Sequence, residues 1–196
     1  KRQKKNYWYK QRRNWKVGSS YGDGDHIFNI QRGLNEALKL ETELSSLSPE
    51  EVFKKIGMKI MTTVGGSSGA LFATLLMGMA KKYSKELNDL ENLAAMFYEG
   101  VEATKKRGKA DLGEKTMLDV LIPVSLLLNK LKNEKNIKIV AEKIKMVAKE
   151  GMLSTRDIMA TKGRASFLGE RAIGHIDPGA RSSQLAISAI CDEYIN

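Results

Sequence analysis

From Ile27 onward the apolar residues of this chain recur at helical spacing. Val52, Ile56 and Ile60 fall at i, i+4 and i+8, behind Ser48-Pro49-Glu50-Glu51, a capping box with proline at the first helical position. Gly65 and Gly66 end that helix. Ser67 and Ser68 then precede the run 69–80, which is apolar nearly all round and so belongs at the centre of the fold. Asn88 and Glu91 form a second capping signal, backed by Leu90, Leu93, Ala94, Phe97 and Val101. A Gly- and Lys-rich loop is expected over 106–115. Thr116 opens a further apolar helix towards Leu131, with Pro123 expected to bend it. Ile137, Val140, Ala141, Ile144, Val147 and Ala148 give an amphipathic helix that Gly151 should close. A short helix near 154–161 leads into the Gly/Arg-rich stretch 163–179, and a last helix runs from about Ala180 to Tyr194. Strand-like alternation is scarce. The pattern predicts an all-α fold of seven or eight helices, with short connections that favour antiparallel neighbours.

Composition narrows the class. A chain of 196 residues that is 42% hydrophobic and 29% charged fits one soluble globular domain. The lone Cys191 excludes an internal disulfide and fits a reducing, cytoplasmic setting. The run 69–80 is too short to span a bilayer, so no membrane association is expected. The net charge of +10 invites a nucleic-acid reading, but residues 1–17 carry +8 of it and no acid, leaving +2 for the rest. Basic character therefore belongs to a short arm, which also holds Trp8 and Trp15, and the domain is not expected to bind nucleic acid. Composition changes abruptly near Gly18. Residues 1–17 read as an atypical basic segment, disordered or altered, and 18–196 as the helical domain.

Four segments carry chemistry. Asp23 and Asp25 flank one glycine, a spacing that suits a hard cation such as Mg²⁺ and that also suits a plain surface turn with Asp25 as a helix cap. His26 and Asn29 follow on the first helical turn, where donors can meet a phosphate. Gly65-Gly66-Ser67-Ser68-Gly69 puts amides and hydroxyls at another helix start; without a lysine it is not a Walker loop, and an ordinary helix–helix turn has the same composition. Thr116 can cap and Asp119 can complement the dipole of the next helix, while Gly108 and Met117 can meet a planar base. The stretch Gly163–Gly179 offers Arg164 as a phosphate clamp and Asp177-Pro178-Gly179 as a rigid turn.

Together, in this order and spacing, these blocks resemble the ADP-binding L subunit of phosphotransferase-system dihydroxyacetone kinase. The matching blocks are Gly-Asp-Gly-Asp-His at 22–26, Val-Gly-Gly-Ser-Ser-Gly at 64–69, Lys-Thr-Met-Leu-Asp-Val-Leu at 115–121 and the stretch from Lys162 to Ala180. The resemblance implies a barrel of eight antiparallel helices with ADP and Mg²⁺ at one end. It implies Asp23 and Asp25 as metal ligands. It implies nucleotide contacts from His26, Ile27, Phe28, Asn29, Ser67, Ser68, Gly108, Met117, Arg164, Asp177, Pro178 and Gly179. Arg164, Ser67 and Ser68 would position phosphate, and no residue of the chain would act as nucleophile.

The partners so implied are a phosphohistidine-carrying phosphotransferase subunit, which converts bound ADP to ATP, and a dihydroxyacetone-binding kinase subunit, which receives the γ-phosphate. A transcriptional regulator is a further implied partner, and self-association is compatible with the sequence. Two other readings stay open: a nucleotide-binding module of a different kinase, and a non-catalytic nucleotide sensor. Two positions depart from the family. Gly18 stands where a third metal-binding aspartate is usual, and Ile27 where glycine is. Weaker Mg–ADP retention is the expected result.

Overall fold

The protein, seen in a computed structural model, is described over residues 24–195. Residues 1–17, Gly18 and Asp23 therefore lie outside the described residues. Eight α-helices and one 3₁₀ helix occur among the described residues, and no strand. They are α1 (Gly24–Leu38), the single turn α2 (Glu41–Leu44), α3 (Pro49–Thr63), α4 (Gly66–Ala80), α5 (Asp89–Gly108), α6 (Leu118–Leu131), α7 (Ile137–Ser154), the 3₁₀ helix Arg164–Ala172, and α8 (Pro178–Ile195). The all-α expectation holds.

Packing follows chain order. α3 lies on α4, α4 on α5, α5 on α6, α6 on α7 and α7 on α8, while α1 packs on α3 and α4. From α3 to α7 the connections are short, which favours antiparallel neighbours, while α7 and α8 are joined by the longer segment 155–177 that holds the 3₁₀ helix. The core includes Leu75, Phe97, Leu118, Leu121, Val124, Ile144 and Ile187. Helix α4 has α1, α3 and α5 around it, which explains why its sequence is apolar on every side. It approaches α5 closely: a Cβ on Gly78 would sit 2.8 Å from the Gly100 Cα.

The helix starts behave as the capping signals predict. Ser48 accepts from the Glu51 amide at 3.4 Å, and Glu51 accepts from the Ser48 amide at 2.8 Å. The same Ser48 hydroxyl and amide hold the Glu51 carboxyl below its ordinary pKa. Asn88 accepts from Leu90 and Glu91, both at 3.0 Å.

Three boundaries differ from expectation. Gly151 does not close α7, which continues to Ser154. It is buried mid-helix, because a Cβ there would lie 2.2 Å from the Asp119 carbonyl oxygen. Pro123, one turn on from Asp119, has no N–H to give that carbonyl. The glycine and the proline together let α6 and α7 touch backbone to backbone. No helix forms over 154–161. Instead the chain turns after Ser154, and a 3₁₀ helix forms inside the stretch read as loop. Gly163, Gly169 and Gly174 bound and kink it with φ of 67°, 55° and 88°, values that favour glycine. Finally, α4 begins at Gly66 rather than after Ser68, so both serines lie in its first turn.

Candidate functional site

Each long helix from α3 onward needs partners for its first amides. Side chains supply them for α3 (Ser48), α5 (Asn88) and α7 (Asn136). Thr116 Oγ1 accepts from the Leu118 amide at 3.1 Å, and Asp119 Oδ2 from the Thr116 amide at 2.7 Å, so α6 is served as well. Asp177 Oδ2 accepts from the Ala180 amide at 2.7 Å and caps α8, with Pro178 at the first helical position. Helix α4 is different. Its cap position is Gly65, which has no side chain to offer, and Gly65, Gly66 and Ser67 are exposed. An uncapped, glycine-flanked helix start with two hydroxyls is a binding place for an anion.

Helix α1 delivers its first turn to that spot. His26 is 3% exposed. Its Nδ1 is 2.9 Å from Ser68 Oγ and its Nε2 is 3.1 Å from Ser182 Oγ on α8. The Ser182 hydroxyl donates its one hydrogen to the Gly179 carbonyl at 3.0 Å. Nε2 must therefore carry a proton and donate to Ser182, an assignment made from the network. In neutral His26, Nδ1 then accepts from Ser68. Asn29 lies over the same turn, since a Cβ on Gly66 would sit 3.4 Å from its Nδ2. Gly66 has φ of 77°, a backbone conformation that favours glycine at that position.

The opposite wall comes from the α5–α6 loop and the start of α8. A Cβ on Gly179 would lie 3.4 Å from Met117 Cβ and 3.5 Å from the Met117 amide nitrogen. Met117 is buried. A Cβ on Gly108 would touch Leu71 of α4 at 3.5 Å, which places the end of α5 beside the second turn of α4. His26, Ser68 and the α8 start are thus joined by hydrogen bonds, Asn29 lies against Gly66, and Met117 lies against Gly179. Phe28 points away, 65% exposed on the outer face of α1. The side chains of Asp25, Ile27 and Arg164 lie outside the described part of the structure. Among the described residues no group of three metal-ligating side chains occurs.

Several supporting residues show their partners only in the structure. Lys115 is 3% exposed and adopts φ of 59°. Its ammonium donates to the carbonyls of Thr155, His175 (2.5 Å) and Arg156 (3.4 Å). Burial pushes its pKa down, opposed by the charges of Asp177, Asp157 and Asp119. Thr155 is fully buried, and its Oγ1 accepts from the Asp177 amide at 3.0 Å. Asp119 does more than complement a dipole: its second oxygen accepts from the Gly113 amide at 2.6 Å, which folds the loop back on α6. A charge-density argument in a glycine-rich loop could have flagged Lys115, but only contact over about 40 residues shows what it binds.

The fold and its uncapped α4 start define an all-helical domain with a candidate anion site, and the family model for the DAK2 domain matches residues 20–192. The chain belongs to the DAK2-domain family. It is 44% identical over 180 residues to the ADP-binding subunit DhaL of PEP-dependent dihydroxyacetone kinase 1 from Listeria innocua, covering 92% of this chain and 86% of that protein. It is 37% identical to the ADP-binding subunit DhaL of the PEP-dependent dihydroxyacetone kinase from Escherichia coli, covering 82% of this chain and 78% of that one. The crystal structure of the dihydroxyacetone kinase from C. freundii in complex with AMP-PNP and Mg²⁺ superposes with a TM-score of 0.66 at 26% identity, over 88% of this chain and 28% of that longer chain.

Proposed function

We propose that the chain is the nucleotide-binding subunit of a PEP-dependent dihydroxyacetone kinase. ADP is its resident cofactor, bound across the α4 start. The observation that carries this reading is the uncapped helix start at Gly65–Ser68, joined through His26 to the start of α8. The residues suit the ligand. Exposed amides of the first α4 turn and the Ser67 hydroxyl donate to phosphate, while Ser68, whose one hydroxyl hydrogen goes to His26 Nδ1, offers its amide. Arg164 is the phosphate clamp in this reading. In this reading Gly108, Met117 and Gly179 are the residues that meet the base. When bound, the nucleotide supplies the phosphoryl group, taken from a phosphohistidine of one partner subunit and given to dihydroxyacetone on another.

The chain's own work is positioning and charge neutralisation, which is most of what phosphoryl transfer asks of a protein. Ser68 is held by His26, so its oxygen is fixed before phosphate arrives. Asp177 keeps the α8 start rigid through its bond to the Ala180 amide, and Pro178 fixes φ beside it. Asp23 and Asp25 are the Mg²⁺ ligands in this reading, with Gly18 leaving one carboxylate fewer than the family's usual set. The relatives' names point to kinase subunits and give no support to a transcriptional regulator as partner. The reading places the reaction in the cytoplasm, and among the described residues no helix is long and apolar enough to cross a membrane.

Reconstitution tests it. The chain, mixed with the two partner subunits of a related system and a phosphoenolpyruvate-fed phosphohistidine donor, is expected to support phosphorylation of dihydroxyacetone. Nucleotide binding without any transfer would leave only the sensor reading.

A further inference from the structure

We propose that Lys115 is a positioning residue of the nucleotide site: by binding the carbonyls of Thr155, Arg156 and His175 it holds Met117 against Gly179 and so sets the slot for the base. This rests on the reading that a nucleotide occupies this end of the helices.

Lys115 lies two residues before Met117, and its contacts form a closed circuit. The ammonium binds the Thr155 carbonyl. The Thr155 hydroxyl accepts from the Asp177 amide at 3.0 Å. Asp177 caps α8 through the Ala180 amide at 2.7 Å. Gly179, inside that capped turn, sits against Met117, with 3.5 Å between its ideal Cβ and the Met117 amide nitrogen. Met117 leads back along the chain to Lys115. A second strut reaches the His175 carbonyl at 2.5 Å, two residues before Asp177. Three carbonyl acceptors need three hydrogens, so the group is an ammonium and not a neutral amine.

A residue needed only to fill space here would be cheaper as methionine or leucine. Burying an ammonium is costly unless its hydrogen bonds are complete, and its partners here are neutral carbonyls. Such a group is spent on geometry. The three carbonyls belong to the turn after α7 and the segment entering α8, so one ammonium joins both segments to the α5–α6 loop. The left-handed backbone at Lys115, φ 59°, turns the side chain inward while the Thr116 amide still reaches Asp119.

The test compares Lys115→Met, Lys115→Arg and Thr155→Val with the unaltered full chain. Thermal midpoints are recorded, and affinities for ADP and for tripolyphosphate are measured by calorimetry well below those midpoints. Tripolyphosphate reports the α4 phosphate end alone. Lys115→Met and Thr155→Val are expected to weaken ADP by roughly tenfold or more, about 1.4 kcal/mol, while tripolyphosphate changes by less than about threefold. Lys115→Arg, which keeps the charge and the donors, is expected to recover part of the loss. Equal losses for both ligands, or lowered midpoints with an unchanged ADP-to-tripolyphosphate ratio, would overturn the positioning role and leave a merely structural lysine. If Lys115→Met does not fold, Thr155→Val decides alone, since it breaks the next link without touching the ammonium. Failure of the unaltered chain to bind either ligand would overturn the nucleotide site itself, a result distinct from any variant's.

Discussion

His26 on α1 and Ser182 on α8, 156 residues apart, are joined by a 3.1 Å hydrogen bond from Nε2 to Oγ. The other ring nitrogen is 2.9 Å from Ser68 on α4. One imidazole therefore ties the first described helix, the central helix and the last.

Replacing His26 by alanine should uncouple those three helices. Removing a buried, twice-bonded ring leaves polar partners behind and should cost about 1–3 kcal/mol. In a chain of this size that is a fall of roughly 2–4 °C in midpoint per kcal/mol. A His26→Ala/Ser182→Ala double-mutant cycle in denaturant should show coupling of about 0.5 kcal/mol or more. Additive losses would mean that the bond contributes nothing to stability.

Gly151→Ala should be among the most damaging single changes in the fold. The added methyl would meet the Asp119 carbonyl oxygen at 2.2 Å and the Val120 Cα at 3.1 Å, and both are backbone. Overpacking against atoms that cannot swing away typically costs about 1–3 kcal/mol, and the shift must pass through α6. Gly113→Ala makes a contrast, because nothing lies within 4 Å there and the strain comes only from φ of 85°. Chemical denaturation of the two variants should rank Gly151→Ala well below Gly113→Ala.

Asp177 separates capping from ligand contact. Asp177→Asn keeps an oxygen for the Ala180 amide, whereas Asp177→Ala loses the cap and should cost about 1 kcal/mol. ADP affinity measured alongside stability should follow the cap. If Asp177→Asn is fully stable and still loses the nucleotide, the carboxylate has a direct role beyond holding the turn.

Cys191 should be silent. Burial pushes its thiol up to about 11. A group that prefers its protonated form in the fold contributes stability below its ordinary value of 9.0, and that contribution is lost as pH rises from there towards about 11. A disulfide reagent at neutral pH should react only after unfolding, and thiolate absorbance should appear near pH 11 rather than 9. Rapid labelling of the native chain would show that the end of α8 opens.

The helices were legible because each has a local signature. Ser48-Pro49 and Asn88 announce their starts, and the all-round apolar run of α4 announces a central position. The candidate site was legible in pieces, as glycines beside serines and an Asp-Pro-Gly turn. What the sequence could not supply was contact over long separations. Gly151 reads as a helix stop because its partner, the Asp119 carbonyl, is on another helix. Lys115 reads as one more loop cation because its acceptors are backbone atoms about 40 and 60 residues away. The turn after Ser154 replaces a short helix because Thr155 and the Arg156 carbonyl are engaged by Lys115, the Asp177 amide and the Gly174 amide.

On the proposed reading, Gly18 bears on metal retention. With Asp23 and Asp25 as the remaining carboxylates, ADP affinity in Mg²⁺ should be lower than in a Gly18→Asp version, by roughly tenfold if one ligand is worth about 1.4 kcal/mol. Calorimetry with and without Mg²⁺ checks it, and equal affinities would show that the third carboxylate is dispensable.

The most direct measurement is a crystal structure of the chain grown with ADP and Mg²⁺. The account predicts density with its phosphates on the first turn of α4 at Gly66–Ser68, its base between Gly108, Met117 and Gly179, and a cation at Asp23 and Asp25. Nucleotide bound elsewhere, with the α4 start filled by solvent while crystals contain saturating ADP, would contradict it.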